Sequence, residues 1–239
     1  FFIWNKKHYF PKKINLYIRQ KQHLLNHLLD DNYEQREFWK KEFGDEYIKR
    51  NNSLEYADSF YKKATGHTKS EIFENSFSSL GKNLKILELG CNIGINLEIL
   101  KKLGFKNLYG LEINEKAIEI AKIKHPDTKF FHGSIEEFDF DNQKFDLVYT
   151  AGVLIHINPN SLEEIIKKMI SLTTKYVFGL EYSSDDLKKI QYRGNENYCW
   201  KQDFPSLFRN LYPKLITVNE EKIPYLSENQ HDILYMFKK

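Results

Sequence analysis

The residues best able to do chemistry stand just after short apolar runs. The run Ile86-Leu-Glu-Leu ends at Gly90, and the chain continues as Cys91, Asn92, Ile93, Gly94, Ile95 and Asn96. Without a Cβ, glycine lets a backbone turn approach a ligand closely. In an open α/β sheet the ligand crevice lies beyond the carboxyl ends of the strands. The spacing Gly90-x-x-x-Gly94 is not that of a dinucleotide turn, whose second and third glycines would fall on Asn92 and Ile95. A pyrophosphate wants a dense array of backbone N–H groups at a helix start. A looser turn suits a ligand without phosphate. Glu88, just ahead of the turn, offers a carboxylate to an ammonium group. Glu112 ends the next apolar run, about 20 positions past the turn, where an acid accepts hydrogen bonds from ribose hydroxyls. Ser134 and Ile135 follow a third run and can frame a flat ring. Thr150 ends a fourth run and leads into Ala151-Gly-Val-Leu-Ile-His156-Ile-Asn-Pro159.

The elements that must position these residues alternate. Apolar runs at 85–89, 107–112, 128–132, 145–150, 176–180, 215–219 and 232–237 read as strands. Stretches 96–103, 115–124 and 161–171 read as helices. Such alternation predicts right-handed βαβ units on a mostly parallel sheet. The short connection between the last two strands predicts a hairpin, and with it one antiparallel strand. Before residue 82 the pattern is helical only, over 13–30, 33–50, 54–65 and 68–79. The expected division is a helical extension or lid over 1–81 and an α/β domain over 82–239. The fold class is therefore α/β, Rossmann-like, with seven strands.

Bulk properties narrow the function. Net charge is +3 and charged residues make up 29% of the chain, which argues against the basic stripe of a nucleic-acid binder. Two distant cysteines, Cys91 and Cys199, make neither a disulfide framework nor a zinc site, and no metal is expected. No apolar run reaches ~18 residues, so no membrane span is expected, and a cytoplasmic setting follows. The glycine turn, the acid at 112, the Gly-Ser-Ile segment at 133–135 and the polar cluster after the fourth run together fit S-adenosylmethionine (SAM). Methyl transfer to a small-molecule acceptor is the expected chemistry. His156 is the candidate base, since an imidazole titrates near neutrality.

Several segments resemble one family, the methyltransferases associated with pseudaminic acid biosynthesis, of the class I SAM-dependent kind. They are Glu37-Phe-Trp39, Phe43-Gly-Asp-Glu-Tyr47 with Arg50-Asn51, Leu87 to Leu97, and Gly110-Leu-Glu-Ile-Asn114 with Lys116-Ala117. Further on they are Gly152 to Pro159, Glu181-Tyr182, Tyr192-Arg-Gly194, and Lys201 with Asp203-Phe204. The chain departs from that pattern at 183–191 and near 195–199. The resemblance implies a sugar-type acceptor, a nonulosonic acid or nucleotide-linked sugar, methylated on oxygen or nitrogen. It places Tyr47, Arg50, Glu88, Gly90, Cys91, Asn92, Gly94, Asn96, Glu112, Ile113, Ser134, Ile135 and Thr150 at the cofactor. His156, Glu181 and Tyr182 fall at the reacting centre. Tyr192, Arg193, Gly194, Lys201 and Asp203 fall at the acceptor. Tyr47 and Arg50 lie three apart on one helical face, so a lid helix presents both to one ligand; alternatively the aromatics there form a packing stripe. Tyr192-Arg193-Gly194 reads as a carboxylate or phosphate clamp or as a surface turn. Methylation of RNA or protein, or a non-catalytic SAM-binding partner subunit, are the competing readings. Oligomeric state is left open.

Overall fold

The computed structural model describes residues 32–227 and 229–239. The helix expected at 13–30 lies outside them. The chain begins with α1 (Tyr33–Lys40), α2 (Glu42–Arg50), α3 (Leu54–Thr65) and α4 (Lys69–Phe77). It then alternates through β1 (Lys85–Leu89), α5 (Ile95–Lys102), β2 (Asn107–Glu112), α6 (Glu115–Lys124), β3 (Lys129–His132), β4 (Phe145–Ala151), α7 (Leu162–Leu172) and β5 (Thr173–Ser183). A two-residue ladder, β6 (Lys188–Lys189) with β7 (Trp200–Lys201), precedes α8 (Phe204–Leu211) and the hairpin β8 (Ile216–Pro224) and β9 (His231–Lys238). The seven-stranded sheet has the order β3-β2-β1-β4-β5-β9-β8. The first five strands pair in parallel, and β9 runs antiparallel to both β5 and β8. This is the predicted Rossmann-like sheet with its terminal hairpin.

Successive strand residues face opposite sides of a sheet, and each side carries its own core. Ile86, Leu147, Tyr149 and Phe178 pack under α4 and α5, against Phe73, Phe77, Leu97 and Leu100. Leu87, Leu89, Val148 and Val177 pack under α7 and α8, against Ile166, Met169, Phe204 and Phe208. Glu88 lies between Leu87 and Leu89 and so falls on the α4–α5 side, fully buried.

Two features differ from the sequence expectation for physical reasons. The helix expected over 33–50 breaks at Lys41, whose backbone is extended (φ −107°, ψ −151°). The break frees the Trp39 carbonyl from helical bonding, and it accepts from Asn114 Nδ2 instead, at 3.1 Å. The edge strand β8 runs to Pro224, beyond the expected 215–219, because its exposed polar run 219–222 pairs with buried β9. Its sequence alone has no apolar signature. Helix α8 was absent from the sequence reading, although Asp203 followed by Pro205 is a usable start signal.

Phe77 is wholly buried and meets Phe73, Phe105, Tyr149 and Phe178. Phe60 is 52% exposed. Denaturant titration of Phe77→Ala should show a loss of about 3–5 kcal/mol, against no more than about 0.5 kcal/mol for Phe60→Ala. Equal losses would contradict this assignment of the core.

Candidate cofactor and acceptor site

The β1–α5 turn is built on the end of β2. Gly90 and Cys91 N–H groups both donate to the Leu111 carbonyl, at 2.8 and 3.0 Å. Gly90 (φ +74°) and Gly94 (φ +84°) take left-handed backbone that bears no Cβ strain only in glycine. A Cβ on Gly90 would also lie 2.6 Å from Val153 Cγ2, so the β1 and β4 loops can touch only here. Asn92, at φ +48°, closes the turn and donates its N–H to Glu112 Oε2 at 2.9 Å. Glu112 Oε1 accepts from the N–H groups of Ile113 and Asn114, both at 2.8 Å. The carboxylate is thus fixed by three backbone donors, and Oε2 keeps a lone pair for a ligand hydroxyl.

Asn114 caps α6 by accepting from Ala117 N and ties α6 to the lid through Trp39 O and Asp45 Oδ1. Asp45 also pairs with Lys116. Gly44 is required at that contact: a Cβ there would sit 2.0 Å from Trp39 O and 2.7 Å from Asn114 Nδ2. Under this lid lies an open cavity of about 1140 Å³, its mouth included.

One end of the cavity carries Glu112, Ile113, Gly133 and Ile135; the other carries Lys69, Asn96 and Ala151. Beside that second end Glu88 Oε1 accepts from Asn96 Nδ2 at 2.5 Å. Glu88 Oε2 and Asn96 Oδ1 are buried without a hydrogen-bond partner. The Tyr149 phenol lies close to Glu88 but stops short of bonding geometry. Burial pushes the Glu88 carboxyl up to about 8, against the opposing pull of Asn96, Tyr149 and Lys69. Buried polar groups are normally satisfied, so these unused valences point to a polar ligand.

Between the two ends stand Trp39, Tyr47, Val153 and His156. His156 Nδ1 lies 2.6 Å from the Tyr198 carbonyl. A carbonyl only accepts, so Nδ1 carries the proton and Nε2 keeps its lone pair. The ring is wedged between Trp39 and Tyr192, with centroids at 4.6 and 4.8 Å. Burial pushes the imidazole down to about 4, partly opposed by the bond to Tyr198.

The other residues singled out in the sequence take varied places. Glu181 is fully buried outside the cavity wall; its Oε2 accepts from Val153 N at 3.0 Å and so holds the turn that carries His156. Burial pushes this carboxyl up to about 7, with Thr150 and the N–H groups of 153–155 pulling the other way. Thr150 is likewise buried, behind the wall. Ser134 accepts from Glu137 N and braces the Gly133–Ile135 turn from behind. Cys91 lines the cavity, with Gly110 behind it. Arg50 faces the rings of Phe43 and Tyr47 at 5.3 and 5.9 Å, and its Nε and Nη2 are buried without a partner. Arg193 and Gly194 form an exposed left-handed turn, which brings Tyr192 to Phe43 and His156. Tyr182 stacks on Tyr225, with Lys201 Nζ 3.2 Å from its ring centroid, away from the cavity. Asp203 caps α8 through Ser206. Sequence reasoning gave no site role to Arg36, Lys69, Asn114 or Gly152 in the wall, and left Trp39 between a lid residue and a packing stripe.

Residues 86–176 match the family described as a methyltransferase domain. An uncharacterized methyltransferase of Synechocystis is 34% identical over 82 residues, 34% of this chain and 38% of that protein. The ubiquinone biosynthesis O-methyltransferase of Pelagibacter ubique is 29% identical over 97 residues, 39% of each chain. The aligned part is thus under two-fifths of each of these curated relatives. The fold matches magnesium protoporphyrin IX methyltransferase of Synechocystis with bound SAM, with a TM-score of 0.62, 14% identity, and coverage of 88% of this chain and 97% of that one. It also matches the Burkholderia thailandensis 1,6-didemethyltoxoflavin-N1-methyltransferase, with a TM-score of 0.59, 15% identity, and coverage of 82% and 89%. No described helix is long and apolar enough to cross a membrane.

The raised carboxyls make ligand-free stability depend on pH. Folded Glu88 holds a proton up to about 8, whereas the unfolded chain releases it near 4.5. The folded state therefore binds the extra proton between those values, and stability falls as pH rises through them. Melting temperatures from pH 5 to 8.5 should decline, and Glu88→Gln should flatten the slope. An unchanged slope in the variant would rule Glu88 out as its source.

Proposed function

We propose that this chain is a class I SAM-dependent methyltransferase that acts on a small sugar-type acceptor, in line with the family associated with pseudaminic acid biosynthesis. The observation that carries the reading is the two-ended cavity: Glu112 with a free lone pair at one end, and Glu88 and Asn96 with unspent valences at the other. The first suits a ribose, the second an amino-acid ammonium. When bound, the cofactor supplies a methyl group on a positively charged sulfur. Relatives that carry methyltransferase names and a matching methyltransferase domain support the same activity.

The chain's own residues then have distinct tasks. Gly133 and Ile135 border the adenosine end, and Glu112 anchors it. Helices up to about residue 81 act as the lid over the 82–239 domain, with Trp39 and Tyr47 excluding water from the reacting centre. Alignment of acceptor and methyl supplies most of the rate in such a displacement. His156 Nε2 faces a hydroxyl or amine acceptor as proton acceptor. Burial keeps the ring neutral across the physiological range, so Nε2 has its lone pair free, at a cost in its strength as a base. Glu181 acts through the backbone by fixing the His156 turn. The aromatic walls around His156 suit the apolar face of a sugar ring.

Incubation of the protein and SAM with nucleotide-sugar and nonulosonate pools should yield a product one methylene unit heavier by mass spectrometry, with the gain located by fragmentation. In His156→Ala, turnover should fall by roughly 10²-fold or more while SAM affinity holds. Unimpaired turnover in that variant would sink the base assignment, and absence of any methylated product would sink the sugar reading.

A further inference from the structure

Lys69 is the first residue of α4, and nothing above gives it a role. Its backbone is rigidly placed. Thr68 and Glu71 form a reciprocal cap, with Thr68 Oγ1 accepting from Glu71 N at 3.0 Å and Glu71 Oε2 accepting from Thr68 N at 2.7 Å. Ser70 donates its N–H and its hydroxyl to Asp58, at 2.8 and 2.7 Å, which pins the start of α4 to α3. A lysine in the first turn is electrostatically misplaced, because the helix dipole is positive there. Local rules broken without local compensation tend to mark function. No carboxylate among the described residues lies within ion-pair reach of the amine. The amine lies over the Tyr61 ring, 5.3 Å from Nζ to the centroid.

The side chain reaches the wall of the cavity, at the end occupied by Asn96 and Ala151. Burial lowers the basicity of the amine, and among the charges that oppose this Glu88 acts most strongly, ahead of Asp232, Glu181 and Asp58. Asp232 is occupied by the hydroxyls of Tyr61 and Tyr225. One end of the cavity thus holds a cation without an ion pair beside a carboxyl and an amide oxygen without partners. An α-amino acid zwitterion is the ligand that complements such a set, with its ammonium toward the oxygens and its carboxylate toward the amine.

We infer that Lys69 holds the carboxylate at the methionine end of SAM, opposite Glu88 and Asn96, which take the ammonium. This rests on the SAM reading above. Arg50 does not reach the cavity wall and so stands outside this set.

Calorimetric titration of the full chain with SAM, decarboxylated SAM and 5′-methylthioadenosine tests the assignment. SAM and its decarboxylated form differ only in the carboxylate. The wild-type chain should prefer SAM by roughly tenfold or more, the range for a charge-assisted hydrogen bond. Lys69→Met should erase that preference while binding of decarboxylated SAM and methylthioadenosine holds. Lys69→Arg should restore most of it, and Arg50→Met should leave it intact. Methylthioadenosine binding doubles as the check that each variant is folded. A preference unchanged in Lys69→Met, or lost in Arg50→Met instead, overturns the assignment. So does an equal loss for all three ligands in Lys69→Met, which a structural role would give. Failure of the wild-type chain to bind any of the three overturns the SAM reading itself, a separate outcome.

Discussion

Asn114 is the residue on which the geometry of the site turns. Its main-chain N–H holds Glu112 in place, its Oδ1 starts helix α6, and its Nδ2 binds the carbonyl of Trp39 and the carboxylate of Asp45. One buried amide therefore couples the acid at the end of β2, the helix after it, and the break in the lid. The coupling explains why Gly44 and Asp45 accompany Asn114 and Lys116. Only glycine lets the lid backbone come this close, and only an acid at 45 answers both Asn114 and Lys116. A lid held this way is fixed over the Glu112 end of the cavity by contacts within the chain. What remains for a ligand to order is the far end, where the polar valences are unspent.

That asymmetry matters energetically. The sheet is covered on both faces by apolar side chains, and that burial dominates the favourable side of folding. Against it stand Glu88, Glu181 and Asp232, three buried carboxyls on strands β1, β5 and β9 of the sheet. Each is pushed upward by burial, and only Asp232 has both oxygens hydrogen-bonded by phenols. Glu181 spends one oxygen on the Val153 N–H and Glu88 one on Asn96. Beside the cavity, at Glu88 and Asn96, a ligand can complete the set; the second Glu181 oxygen lies behind the wall and stays unmet.

The sheet was legible in the sequence because each strand of the parallel part is a compact apolar run ended by glycine or an acid. The grouping of Gly90, Glu88 and Glu112 was legible for the same reason: they stand at strand termini, where topology alone brings them together. The acceptor side was not. Glu181 and Tyr182 follow β5 in sequence, yet one turns behind the cavity wall and the other toward Tyr225. Alternation along a strand decides that, and a run as apolar as 176–180 does not reveal which face is which. Lys201 and Asp203 read as ligands by type, but their places are set by α8 and the hairpin. Lys69 was illegible because its meaning depends on α4 lying over β1, a packing fact without a motif.

The lid and the loop at 192–198 meet through aromatic rings, not charges. Phe38 stacks on Tyr198 at 3.9 Å, Phe43 meets Tyr192 at 5.7 Å, and Trp39 and Tyr192 enclose His156. The loop itself carries left-handed backbone at Arg193 and Asn197, strain that those ring contacts offset. The same contacts set the state of the histidine. They strip water from the imidazole, and the Tyr198 carbonyl fixes its tautomer. In the proposed reaction the positive charge moves and does not vanish: the S–CH3 bond breaks with its electron pair left on sulfur, the acceptor forms the new bond to methyl, and the acceptor's proton passes to His156 Nε2. Burial disfavours the imidazolium so formed. The Trp39 and Tyr192 rings on either side of it offset part of that cost, since aromatic faces attract a cation.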